Sequence, residues 1–133
     1  MRIESRIGHI YARPERVYPL ISDFSRITST MLPANDKIKD VESTADSCVF
    51  TIDKVGKFGL RIVERKENEL LKIESSEGVL KLKLWIQFKE FRGTDSAIKV
   101  TLDADVNPLM SMMVKKPLTE FVEQLVTKME QIR

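Results

Sequence analysis

The sequence is short of cysteine, histidine and excess charge. One cysteine, Cys48, among 133 residues cannot make an intramolecular disulfide, and with one histidine, His9, it cannot build a Cys/His metal cage. Twenty-two basic against twenty acidic side chains leave a net charge of +2, too little to hold a polyanion by bulk charge. No apolar run approaches the roughly 20 residues of a transmembrane segment. The start, Met1-Arg2-Ile3-Glu4-Ser5-Arg6, lacks the continuous apolar core of a secretory leader. A Gly-rich phosphate loop is also missing: Gly56-Lys57-Phe58-Gly59 falls in a strand connection and does not lead into a helix. The expectation is a soluble protein in a reducing, cytoplasmic setting, with no cofactor and no metal.

What is present is an ordinary globular balance, 42% hydrophobic and 32% charged, without repeats or composition shifts. One domain spanning 1–133 follows. Residues 2–11 place Ile3, Ile7, His9 and Tyr11 on one parity and predict a strand. Pro14 ends it and suits the first turn of a helix, which Pro19 keeps brief. A second short helical turn, capped by Asp23 or Ser25, runs through Met31 to the loop 33–36. From 37 to 106 the period is two, predicting strands at 37–43, 47–55, 57–66, 69–77, 79–92 and 95–106 joined as an antiparallel meander. Leu80, Leu82, Leu84, Ile86 and Phe88 share one face of the longest strand, opposite Lys81, Lys83, Trp85, Gln87 and Lys89. One face is therefore buried and one wet.

The period then returns to 3.6. Asn107 caps and Pro108 starts a helix whose stripe is Leu118, Phe121, Leu125, Met129 and Ile132. Pro117 predicts a kink or break, dividing a Met-rich first part, 108–116, from the second part, 117–133. This helix is the only element large enough to cover the apolar sheet face. The fold class is α+β: a seven-stranded antiparallel sheet curled around a long C-terminal helix, with two short helices after the first strand.

That order, with the run Ile10-Tyr11-Ala12-Arg13-Pro14-Glu15-Arg16-Val17-Tyr18 followed by Leu20-Ile21-Ser22-Asp23-Phe24, resembles the helix-grip fold of the START/polyketide cyclase-like (SRPBCC) superfamily. The run is similar to the superfamily's strand-to-helix signature, and the element order covers essentially the whole chain. The resemblance implies a hydrophobic cavity between sheet and terminal helix, holding a lipid, quinone or polyketide-like molecule. Some relatives are instead protein-interaction modules that activate chaperone ATPases, and others are aromatase/cyclase-type enzymes.

The inward face is almost wholly apolar, which favours binding over catalysis, and no catalytic residue is assigned. The expected lining is Phe50, Phe58, Leu84, Phe88, Met110 and Met113, with Tyr11 as a polar handle. Methionine is unbranched and polarizable and adapts to irregular apolar ligands. His9 has no orienting carboxylate near it in sequence and reads as an ordinary strand residue. Cys48 shares the inward parity of Phe50 and Ile52 and reads as core. Lys81, Lys83 and Lys89 around Trp85 read as a solvated sheet face, with no nucleic-acid partner. Trp85, outward with Val49 and Val63, predicts a self-association patch and a homodimer.

Overall fold

The computed structural model describes residues 1–26, 38–78 and 80–132. Its strands are β1 (Arg2–Glu4), β2 (Gly8–Ile10), β3 (Ile38–Ser43), β4 (Ser47–Ile52), β5 (Gly56–Lys66), β6 (Leu70–Gly78), β7 (Lys81–Phe91) and β8 (Asp95–Asp105). The helices are α1 (Pro14–Ile21) and the long α2 (Pro108–Met129). A further helical stretch begins at 24–26; the remainder expected through Met31, and the loop 33–36, lie outside the described residues.

All strands join one antiparallel sheet in the order β1-β8-β7-β6-β5-β4-β3, with β2 also pairing β8. The meander is as expected, but among the described residues the sheet has eight strands where seven were expected, because residues 2–11 form two short strands. Glu4 pairs with Thr101 and Gly8 with Ile98, so one side of the ladder carries one residue more than the other. Ser5 fills the irregularity: its N–H donates to the Val100 carbonyl at 2.8 Å, and its Oγ accepts from Val100 N at 2.9 Å. One extra residue inverts side-chain parity. Ile3 therefore faces in, Ile7 faces out, and Gly8, Ile10 and Ala12 face in. Gly8 suits its place because a Cβ there would stand 2.6 Å from Val126 Cγ1, so α2 lies directly on this backbone.

The register explains why the two faces differ. Ile3, Leu102, Leu84, Ile73 and Ile62 are successive cross-strand neighbours, all buried, and form one apolar row across the concave face. On the convex face, Arg2, Asp103, Lys83, Glu74 and Arg61 alternate in sign across the same strands. Lys83 is thus flanked by Asp103 and Glu74, and Lys81 stands opposite Asp105. Trp85 is half-buried, with Arg2 and Lys72 at 5.9 and 5.8 Å from its ring. It is separated from Val49 and Val63 by β6, since Lys72 of β6 is its neighbour in register.

Helix α2 starts where the sequence places it, with Asn107 Oδ1 accepting from Met110 N at 2.8 Å and Pro108 in the first turn. The break expected at Pro117 does not occur; the helix runs unbroken from 108 to 129. Proline deprives the Met113 carbonyl of its helical donor, but Met113 lies on the exposed face, where water can take that place. The second half is held firmly. It buries Leu118, Phe121, Val122, Leu125, Val126 and Met129, and Arg6 reaches Thr127 at 3.1 Å and Glu130 at 2.6 Å. In 108–116 only Val114 is buried.

Candidate functional site

Between the concave sheet face and α2 lies an apolar void. The sheet contributes Cys48, Phe50, Leu60, Ile73, Leu84 and Ile86; α2 contributes Phe121, Leu125 and Met129; Ile21 and Phe24 close one side. Alternation along β4 to β7 aims the sheet residues inward, and the i, i+4, i+8 spacing of Phe121, Leu125 and Met129 aims the helical ones down onto them. The space left is about 30 Å³. That is room for one or two waters, but with no polar lining to hold them such a space stays dry.

The chemistry of the lining is simple. Among the described residues no carboxylate, imidazole, hydroxyl or amine faces the void, so it offers no acid, base or oxyanion donor. Its one polar-capable side chain is Cys48, and burial pushes that thiol up to about 12, leaving it protonated and unreactive at neutral pH. No buried side-chain nitrogen or oxygen among the described residues lacks a hydrogen-bond partner, and no group of three or more metal-binding side chains occurs among them.

Of the seven expected lining residues, Phe50 and Leu84 reach the void. Phe58 is fully buried behind Phe50, ring centroids 6.1 Å apart, and Phe88 packs edge-on against Tyr18 at 6.0 Å. Met110 lies half-buried at the rim of the core. Tyr11 and Met113 face outward, 65% and 70% exposed, Tyr11 as a consequence of the parity change at Ser5. Leu60, Ile73 and Ile86 line the void as well, with the same inward parity as Phe50, and so do Phe121, Leu125 and Met129 of the helical stripe.

A second constellation had no local signal. His9 Nε2 stands 2.7 Å from Asp95 Oδ2, a carboxylate 86 residues away in sequence that the fold brings to it. Tyr11 and Phe91 flank the imidazole at 4.4 and 5.2 Å, and Glu130 accepts from the His9 N–H at 2.9 Å. Hydrogen bonds from His9 and then Thr94 hold the Asp95 carboxyl below the usual carboxylate range. The pair is on the outer surface, away from the void. Another depression, open and about 800 Å³, lies where β6 and β7 splay; its charges are of both signs, with Arg2 and Asp103 already paired.

No family model matches the sequence, and no curated protein matches it. Solved structures do. A START superfamily protein from Mycobacterium smegmatis superposes with a TM-score of 0.73 at 19% identity, covering 97% of this chain and 94% of that one. The fold is that of the START superfamily. A protein from Thermus thermophilus has a TM-score of 0.77 at 18% identity, over 98% of this chain and 95% of its own. Norcoclaurine synthase from Thalictrum flavum, solved as a point mutant with a transition-state analogue, has a TM-score of 0.67 at 13% identity, over 96% and 94%. The α+β, helix-grip architecture is therefore established. Among the described residues no helix is long and apolar enough to cross a membrane.

Proposed function

We propose that this protein binds a hydrophobic small molecule between its sheet and α2. The observation that carries the reading is the void: apolar side chains from four strands and three helical segments converge on it, with no polar group competing for the space. Such a lining selects an uncharged, hydrogen-bond-poor body, of the lipid, quinone or polyketide type, with any polar end left at the mouth. Ligand sites usually enclose about 300–1,000 Å³. Loading therefore requires the site to open, and the lightly anchored segment 108–116 is the element that moves at least cost. Native mass spectrometry of freshly purified protein tests this. A retained apolar molecule, displaced in Phe121→Trp, supports the reading; a bare mass, together with no uptake of a fluorescent fatty acid or naphthoquinone, removes it.

A second reading is favoured by the size of the void. A cavity of about 30 Å³ also suits a filled core, as in a protein-interaction module resembling chaperone ATPase activators. Recovery of the same partner from binding assays with wild type and Phe121→Trp would favour it, because the interior is then irrelevant. A homodimer through the convex face would have to displace Arg2 and Lys72 from Trp85; light scattering over a concentration series decides it.

A further inference from the structure

The first two turns of α2 carry an apolar ridge that the described core does not use. Leu109, Met112 and Met113 are 72%, 82% and 70% exposed. Their i, i+3, i+4 spacing gathers them on one helical face, opposite the buried Val114 and Leu118. Lys116 continues the same face one turn on, with Lys115 beside it, and both are exposed. From Pro108 to Thr119 there is no Asp or Glu. Neither lysine has an ion-pair partner among the described residues.

We propose that this ridge docks the protein on the surface of an anionic lipid bilayer. Three exposed apolar side chains in two turns are an anomaly on a solvated helix and mark an interaction surface. The charge selects the partner: Lys115 and Lys116 border the ridge before the first acid of the helix, Glu120, and this basic border beside an apolar ridge matches negatively charged headgroups over acyl chains. A second copy of this chain matches poorly. A two-fold contact through the ridge would bring Lys115 and Lys116 of both copies together, four ammonium groups against the two Glu120 carboxylates a turn further along. Methionine and leucine enter a fluid acyl layer without needing a shaped pocket, and lysine stems lie along apolar surface while their ammonium groups reach the headgroups. The docking is peripheral, and it is independent of what the interior void holds.

Vesicle co-sedimentation tests the proposal, with phosphatidylcholine alone and with about 30% phosphatidylglycerol added. Wild type should partition to the anionic vesicles at least roughly tenfold better than to the neutral ones, with the difference shrinking at high salt. Met112→Ser/Met113→Ser and Lys115→Ala/Lys116→Ala should each weaken that partitioning by roughly tenfold or more. All four side chains are exposed, so melting temperatures should not change. Wild type that ignores anionic vesicles, or a methionine variant that binds them as well as wild type, overturns the proposal. So does a lipid-free dimer that Met112→Ser/Met113→Ser abolishes, which would assign the ridge to a second copy.

Discussion

The ring of Phe121 from α2 stacks on the ring of Phe50 from β4, centroids 5.7 Å apart and planes inclined by 25°. Phe58 backs Phe50 at 6.1 Å, so one aromatic column joins helix to sheet beside the void and helps keep it near 30 Å³. Phe121→Ala should cost about 3–5 kcal/mol of stability and leave an enlarged dry cavity. Urea unfolding followed by the fluorescence of Trp85 measures the first effect. Benzene or xenon raising the melting temperature of the variant but not of wild type measures the second. A loss below about 1 kcal/mol with no gas or benzene binding would show that the stack does not close the site.

Cys48 reports opening. Its buried thiol, pushed up to about 12, should react with a disulfide reagent at pH 8 far more slowly than the same cysteine in urea. If the site opens locally, labelling in native conditions should be faster than global unfolding, and an apolar ligand should slow it. Labelling at the global unfolding rate, unchanged by ligand, would mean that the interior moves only as a whole.

The two halves of α2 should differ in hydrogen exchange. Residues 108–116 bury only Val114, whereas 118–129 bury six side chains and carry the Arg6 contacts to Thr127 and Glu130. Amides of 108–116 should therefore exchange at least roughly tenfold faster. Pro117→Ala restores the donor for the Met113 carbonyl and should narrow the gap and slow ligand exchange. Equal protection of both halves in wild type would remove 108–116 as the gate.

Acid should loosen the clasp at the C-terminal end of α2. The Glu130 carboxylate accepts from Arg6 and from the His9 N–H, and those bonds, Arg6 first, hold its carboxyl below the usual range. Asp103 is lowered in the same way by Arg2. In this pH range the unfolded chain binds more protons than the folded one, so stability is complete above the unfolded carboxylate range. It is lost as pH falls from about 5 toward 2. Glu130→Gln should cost about 1 kcal/mol at pH 7 and less at pH 3, because protonation progressively removes the same interaction as pH falls toward the lowered range of the folded carboxyl. Denaturation midpoints at both pH values check it; an equal cost at both would mean that charge is not what Glu130 contributes.

The parts legible in the sequence are those set by local periodicity. Alternation from Ile38 to Asp105 reveals the meander and its inward row, because a pleated strand places every second side chain on the face that must leave water. Asn107-Pro108 and the stripe from Leu118 to Met129 reveal the covering helix in the same way. Three things were decided only in the assembled molecule. The parity change at Ser5 depends on Val100, 95 residues away, accepting an extra residue opposite it. His9 meets Asp95 because β2 and the start of β8 are neighbours in the sheet, a pairing that no spacing encodes. How much space remains between Phe50 and Phe121 depends on how closely α2 settles on the sheet, which Gly8 permits by bringing Val126 against bare backbone. Periodicity tells which side chains leave water, but the volume they leave behind is a difference between closely packed surfaces, and only the packing sets it.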